Sequence, residues 1–192
     1  MPGSTRKDMR MAQASGVVKG WGIVAVAALC LGACGPNVKM KKFNIGVGPD
    51  ASLKDAGTNR MGKLEVDLVA VGNNQDDLTK WRTKNLNDYF SGNDPLRTGA
   101  AAYTKSLTFA DGNEARITIN LNDEIWKQWY PNRSNLFVLA NSRALSAESQ
   151  KQEIRRREIP LTNDYWKGNS FQITIKNSGI EVDPPPTKAE SK

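Results

Sequence analysis

The sequence predicts an all-β domain, a β-sandwich of about eight strands with short helical insertions. Several segments alternate apolar and polar residues with a period of two, as half-buried strands do. Turn signals that contain Gly, Asn or Asp separate these segments, and the stretches with helical spacing are short. No internal repeat is visible, so one domain accounts for the pattern.

The N-terminal segment precedes this domain and has a different composition. Four basic residues come before an uncharged apolar run at 21–33, and they are Arg6, Lys7, Arg10 and Lys19. A basic region followed by an apolar run of roughly 7–15 residues is typical of a signal peptide, whereas a membrane helix needs about 20 apolar residues. Because the basic region is long, Met1, Met9 and Met11 all stay open as the start.

The apolar run ends in a pattern that resembles the lipobox of bacterial lipoproteins, with Leu31, Gly32 and Ala33 before Cys34. Small residues let a peptidase hold the extended chain, and the thiol of Cys34 accepts the lipid. Cys30 is then an apolar residue that leaves with the signal. An N-terminal membrane anchor or a buried helix is the alternative interpretation of this run.

The lipobox resemblance predicts residues 1–33 as a cleaved signal peptide and residues 34–42 as an acylated tether. Gly35 follows the acylated cysteine, and the absence of Asp at that position favours the outer membrane, on its periplasmic face. Each buried CH₂ of a lipid contributes roughly 0.8 kcal/mol, and stable anchoring takes two or more chains. A triacylated Cys34 would therefore hold the protein without a transmembrane helix.

Charge and histidine content narrow the function classes. The chain of 192 residues has a net charge of +7, but removal of residues 1–33 leaves 159 residues with 23 basic and 19 acidic side chains. This small excess predicts no nucleic-acid partner.

The chain has no His, which excludes Ser-His-Asp and Cys-His catalysis and nearly every transition-metal site. We therefore predict a non-enzyme without cofactor or metal; a pair of spatially adjacent carboxylates is the catalytic alternative.

Alternation predicts the first two strands. Phe43, Ile45 and Val47 share one face of the first strand. In the second strand, at 64–71, alternate apolar residues up to Leu68 share one face. Val69 and Val71 then place apolar side chains on the opposite face. The end of that strand should therefore be covered on both sides.

Later segments predict the remaining strands. Alternation predicts strands at 115–121 and 171–175, and the apolar run at 136–140 predicts a central strand. A further strand includes Pro160, and because proline cannot donate a backbone hydrogen bond, this strand is predicted at the edge of a sheet. Turns at 110–113 and 177–179 predict hairpins in which Gly adopts a positive φ.

Three short helical segments interrupt the strands. Residues 76–82 begin with acidic residues that suit a helix N-terminus, 85–90 form a turn, and 122–129 begin at Asn122 as an N-cap. The last of these places Trp126 and Trp129 on one side. This aromatic cluster is either a platform for a sugar or protein, or a helix face packed over the sandwich.

Taken in order, the segments resemble the outer-membrane lipoprotein of type VI secretion systems, the TssJ family. The resemblance rests on the order and spacing of apolar strands, namely "FNIGV" (43–47), "KLEVDLVAV" (63–71), "FVLANSR" (137–143), "REIPL" (157–161) and "FQITIKNSGIEV" (171–182), with an aromatic helical insertion, "WRTKNLNDYF" (81–90), after the second strand. It implies a transthyretin-like β-sandwich over 43–182 with no catalytic activity. The Pro-rich stretch 183–192 would follow as a disordered tail.

The resemblance also implies a role and a partner. The family tethers the secretion apparatus to the outer membrane by binding the periplasmic end of the large inner-membrane subunit, TssM. By position, the binding loop would be Pro49–Gly62, with Asp50, Leu53, Lys54, Asn59 and Arg60 as its candidate residues. The alternatives are a periplasmic binding module for a glycan or peptide, and a scaffold lipoprotein of another envelope machine.

Overall fold

The computed structural model describes residues 38–145 and 154–188. The signal peptide, the lipobox, Cys34 and the candidate start residues lie outside the described residues, so their boundaries stay predictions. The described residues belong to one compact unit. Across 38–145 and 154–188, no helix has the length and apolar character that crossing a membrane requires.

Two four-stranded sheets make up the domain, and the predicted β-sandwich with short helical insertions is confirmed. The strands are β1 (Asn44–Pro49), β2 (Leu64–Val71), β3 (Thr104–Phe109), β4 (Ile117–Ile119), β5 (Asn135–Asn141), β6 (Arg156–Pro160), β7 (Ser170–Lys176) and β8 (Gly179–Asp183). The helices are α1 (Gln75–Thr83), α2 (Leu86–Tyr89), α3 (Pro95–Ala100) and α4 (Ile125–Trp129), with 3₁₀ turns at Ala51–Leu53 and Ala101–Tyr103.

One sheet has the order β4-β1-β7-β8 and the other β3-β2-β5-β6. The pair of β1 and β7 is parallel, and the other pairs are antiparallel. The run at 136–140 is central, because β5 lies between β2 and β6, and Pro160 ends the edge strand β6 as predicted. Gly179 opens β8 with φ 133°, which confirms the second predicted hairpin.

The main core fills the space between the sheets, where the alternating residues of β1, β2 and β7 face inward. Phe43, Ile45 and Val47 are fully buried there. A second core forms on the outer face of the sheet β3-β2-β5-β6, where Val69 and Val71 pack under α1 and α2. The two-faced end of β2 is thus confirmed, and the helical layer is what covers its second face.

The predicted hairpin at 110–113 is wrong. The turn itself forms, with Gly112 at φ 77° and the amide of Asn113 donating to the carbonyl of Ala110 at 2.8 Å. However, β3 and β4 belong to different sheets, and β4 pairs with β1 through Ile45 and Ile119. Alternation indicates which residues face the core but not which sheet they join, because both sheets face the same core.

Several helix predictions also change in detail. Helix α4 begins two residues later than predicted, with Glu124 rather than Asn122 at the N-cap, because Asn120 and Asp123 first close a turn. Helix α3 was not predicted, although Asp94 caps it and Pro95 occupies its first turn. In the predicted tail, Asp183 ends β8, residues 184–188 are described, and residues 189–192 lie outside the described part.

Strand direction gives the sandwich two different ends. At the end we call the loop end, the β1–β2 loop (50–63), the β3–β4 turn (110–116) and the β7–β8 turn (177–178) meet. At the opposite end, which we call the tether end, the first described segment, 38–43, lies beside the β6–β7 connection (161–169) and the segment 184–188. Backbone bonds from Lys41 to Leu161 and from Asn44 to Asn169 fix this arrangement.

Candidate functional site: the loop end

The β1–β2 loop is long but highly structured. Its first half is a 3₁₀ turn capped by Asp50, whose Oδ1 accepts the amide of Ser52 at 2.9 Å. The hydrogen bonds from Ser52 lower the pKa of the Asp50 carboxyl. The amide of Asp50 donates to the carbonyl of Ile175 at 2.8 Å, so this half of the loop is joined to β7.

The second half of the loop folds around Asp55. Its Oδ1 accepts the amides of Gly57 at 3.0 Å and Thr58 at 2.8 Å, and the Thr58 hydroxyl at 3.0 Å. These bonds lower the pKa of the Asp55 carboxyl. Asn59 adopts φ 52°, a left-handed conformation that Asn tolerates better than most residues. The amide of Asp55 donates to the carbonyl of Arg60 at 2.9 Å, which closes the loop. The exposed tip is therefore held in one shape before any partner arrives.

Two of the loop's apolar residues belong to the core. Leu53 is 1% exposed and Met61 is 4% exposed. Leu53 was a candidate contact residue of the binding loop, and its burial makes it a core residue instead. Leu53 therefore supports the loop from below, and any contact surface must consist of the polar and small residues above it.

Ion pairs fasten the loop to the neighbouring turn. Lys54 lies 2.8 Å from Glu114, and Arg60 lies 3.7 Å from Asp111. The Arg60 pair is exposed, with 78% and 49% of the two side chains accessible, so it positions the side chains without contributing much stability. Sequence reasoning missed both carboxylates, because nothing in the turn at 110–116 indicates that it lies against the β1–β2 loop.

A shallow hollow of about 380 Å³ extends the loop end toward the other sheet. Its lining residues are Gly62, Lys63, Glu65, Asn141, Ser142 and Arg143. Lys63 and Asn141 both contact the carboxylate of Glu65, at 2.8 and 3.2 Å. The loop end thus offers mixed charges and hydrogen-bonding groups on a firm backbone, which suits a protein surface better than a small apolar ligand.

The predicted residues are only partly brought together. Asp50 and Lys54 lie at the base of the loop, and Asn59 and Arg60 lie at its exposed tip. Among the described residues there is no group of three or more Asp, Glu, Cys or His side chains that could hold a metal ion.

The aromatic cluster is structural. Trp126 and Trp129 are 1% and 0% exposed, and their rings contact each other edge to face at 5.0 Å. Trp129 Nε1 donates to the carbonyl of Tyr103 at 2.9 Å, which fixes α4 against the chain before β3. Of the two interpretations of the cluster, the packed helix face is confirmed, and neither ring is available to stack on a sugar.

Comparison with known proteins supports the fold. No protein-family model matches the chain, and no curated protein sequence matches it significantly. Among solved structures, one described as a type VI membrane complex aligns with a TM-score of 0.50 and 10% identity, over 76% of this chain and all (100%) of that one.

Two further structures are of type VI secretion components, and the first is described as a lipoprotein. TssJ1 from Pseudomonas aeruginosa aligns with a TM-score of 0.47 and 15% identity, over 77% of this chain and 98% of that one. Lip from Serratia marcescens, described as a membrane-bound component of the system, aligns with a TM-score of 0.46 and 8% identity, over 79% of this chain and 99% of that one. At 10% identity, the similarity to the type VI membrane complex structure is one of fold, and at that level the resemblance predicted from the sequence is confirmed.

Proposed function

We propose that this protein is an outer-membrane-anchored periplasmic lipoprotein that tethers the type VI secretion membrane complex. Its loop end would bind the periplasmic part of the complex's large inner-membrane subunit, a TssM-like protein. The observation that carries the proposal is the pre-formed β1–β2 loop, which projects from the end of the sandwich opposite to the chain's tether.

The order of the loop supports a binding role. A loop that is already folded loses little conformational entropy when a partner binds, and long ordered loops are often functional. Hydrogen bonds around Asp50 and Asp55 supply that order locally, while Leu53 fixes it to the core. A structure described as a type VI membrane complex shares the fold, which makes such a complex the first place to look for the partner.

The arrangement of the two ends also supports the proposal. Cys34 precedes the first described residue, Val38, by four positions, which span at most about 14 Å when extended. An acyl anchor on Cys34 would therefore hold the tether end near the membrane. The loop end would then face the periplasm, where an inner-membrane subunit could reach it.

The glycan-binding alternative depended on an exposed platform at Trp126 and Trp129. Both side chains are buried, so no observation favours that alternative. A scaffold role in another envelope machine would use the same loop end and differ only in the partner. The proposed role is structural and requires no catalytic group.

Co-purification tests the proposal. The protein would be produced with native Cys34 in its own host, extracted with mild detergent, and its partners identified by mass spectrometry. We expect a large inner-membrane secretion subunit, and we expect Arg60→Glu to lower its recovery by about tenfold, equivalent to about 1.4 kcal/mol.

Lys80→Glu is the matched control. Lys80 belongs to an equally simple exposed ion pair, with Asp77 at 3.0 Å, but it lies on α1 away from the loop end. Cys34→Ala would separate partners that need the anchor from those that do not. The proposal would be contradicted if Arg60→Glu and the wild type recovered equal amounts of this subunit, or if no envelope protein were recovered at all.

A further inference from the structure

We infer that the tether end carries a binding surface for anionic phospholipid headgroups, centred on an apolar groove with lysines around its rim. The groove has a volume of about 740 Å³ and lies between the β6–β7 connection and the segment 184–188. Tyr165, Trp166, Gly168, Pro184 and Pro185 are among its lining residues. The inference rests on the proposed anchor at Cys34, but not on the secretion partner.

The groove is built on rigid aromatic packing. Trp166 stacks on Phe171 with ring centroids 4.5 Å apart, and its Nε1 donates to the carbonyl of Pro160 at 2.6 Å. The amide of Thr187 donates to the carbonyl of Tyr165 at 3.1 Å, which holds the segment 184–188 along the opposite wall. The apolar floor is therefore a fixed feature of the fold.

Lysines surround this floor. Lys167 and Lys188 line the groove and are exposed. Lys41 Nζ donates to the carbonyl of Gly168 at 2.9 Å. At the same rim the amide of Lys39 donates to Oδ1 of Asn163 at 2.9 Å, and the amide of Asn163 donates to the carbonyl of Lys39 at 2.9 Å.

None of these four lysines forms an ion pair within 38–145 and 154–188, whereas Lys54, Arg60 and Lys63 at the loop end are all paired. Asp164 and Asp183 are the nearby carboxylates, so the rim remains basic. Unpaired cations above an apolar floor are complementary to a phosphate headgroup that carries acyl chains.

The large hydrophobic residues that are exposed in the described part of the chain are at the same end. Val38 and Tyr130 are 50% and 47% exposed, and Lys42 lies over the Tyr130 ring at 5.4 Å. Tyrosine with its apolar ring and polar hydroxyl is enriched at membrane interfaces. The whole end thus combines basic and amphipathic side chains, as a surface that lies on a membrane requires.

Chain length places this surface within reach of the bilayer. Lys39 follows Cys34 by five residues, which extend to at most about 18 Å. Electrostatic attraction to an anionic surface acts within about 8–10 Å at physiological ionic strength. A lipid on Cys34 would therefore bring the lysines close enough to be attracted. Headgroup binding would then orient the sandwich with its loop end away from the membrane.

Vesicle binding tests the inference without the lipid anchor. The mature chain with Cys34→Ala would be sedimented with vesicles of equal parts phosphatidylglycerol and phosphatidylcholine, and with phosphatidylcholine vesicles alone. This chain contains all of the described residues, which belong to one compact unit. We expect binding to the anionic vesicles only. The triple variant Lys39→Glu/Lys167→Glu/Lys188→Glu should weaken it by more than about tenfold.

A second triple variant, Arg60→Glu/Lys63→Glu/Arg143→Glu, has the same net charge but is altered at the loop end, and it should bind like the wild type. Phosphatidylglycerol with brominated acyl chains should quench Trp fluorescence. Trp166→Phe should remove this quenching and Trp81→Phe should preserve it, because Trp81 lies under α1.

Three outcomes would overturn the inference: equal binding to neutral and anionic vesicles, equal weakening by both triple variants, or quenching unaffected by Trp166→Phe. Release of the protein by millimolar inorganic phosphate at constant ionic strength would also overturn it, because the ligand would then be a free anion. Vesicle binding can fail while the secretion subunit still co-purifies, and the reverse can occur, so the two proposals are tested separately.

Discussion

The guanidinium Nε of Arg97 lies 3.0 Å from Oδ2 of Asp67, and this ion pair joins the helical layer to the sheet beneath it. Asp67 is on β2 and is 1% exposed, and the hydroxyl of Tyr89 donates to the same oxygen at 3.0 Å. The Arg97 guanidinium also lies over the rings of Tyr89 and Phe90, at 5.4 and 4.9 Å. One carboxylate therefore fixes both α2 and α3.

Asp67→Asn should lower the free energy of unfolding by about 2–3 kcal/mol, because it removes one charge of a largely buried pair and leaves Arg97 partly desolvated. Urea denaturation would measure this. Arg97→Met should lower the free energy of unfolding less in the Asp67→Asn variant than it does in the wild type. Strict additivity of the two changes would show that the residues do not interact.

The pKa of Tyr89 should make the stability depend on pH in the basic range. Burial, together with the carboxylate of Asp67, raises the pKa of Tyr89 well above its ordinary value. Since the unfolded state ionises near pH 10, this contribution is complete below about pH 10 and decreases as the pH rises further. The stability advantage of the wild type over Tyr89→Phe should therefore shrink between about pH 9 and pH 11, as measured by urea denaturation at each pH. A constant difference across that range would contradict this assignment.

Leu53→Ala should destabilise the protein although the residue lies in a loop. The side chain is 1% exposed within the main core, so its truncation leaves a cavity and should cost about 2–4 kcal/mol. Leu53→Met conserves volume and should cost less than about 1.5 kcal/mol. Thermal denaturation would compare the two, and an equally small effect of both would mean that the loop is not anchored by this residue.

The two tryptophans of α4 should respond differently to the same change. Trp129→Phe removes the hydrogen bond from Nε1 to the carbonyl of Tyr103. Trp126 Nε1 is buried and has no hydrogen-bond partner among the described residues, so Trp126→Phe removes an unsatisfied donor. We expect Trp129→Phe to cost about 1–2 kcal/mol more in free energy of unfolding. A larger cost for Trp126→Phe would contradict the hydrogen-bond account.

Much of the sandwich could be predicted from residue patterns. The alternation of β1, β2 and β7 identified core positions such as Ile45 and Ile173, and the run of Val69 and Val71 indicated a strand covered on both faces. The same patterns could not assign β4 to its sheet, because an inward-facing residue reaches the shared core from either side. Asp67 alternates with the inward-facing apolar residues of β2, and only the helices packed above it explain its burial.

The site was less predictable than the fold. The position of the β1–β2 loop followed from the strands that flank it, and Arg60 is at its exposed tip as a contact residue should be. The burial of Leu53 and the ion pairs to Asp111 and Glu114 depend on tertiary contacts between turns far apart in sequence. Local sequence contains no signal for such contacts, whereas the missed helix α3 had one in Asp94 and Pro95.

Site-specific photo-crosslinking in cells would identify the protein that contacts the loop tip. A photoreactive amino acid would replace Arg60 at the loop tip in cells that express the whole secretion apparatus, with the same amino acid at Lys80 on α1 as the control. We expect a crosslink from position 60 to the large inner-membrane subunit and none from position 80. A crosslink to that subunit from position 80 and not from position 60 would contradict the loop end as the binding surface.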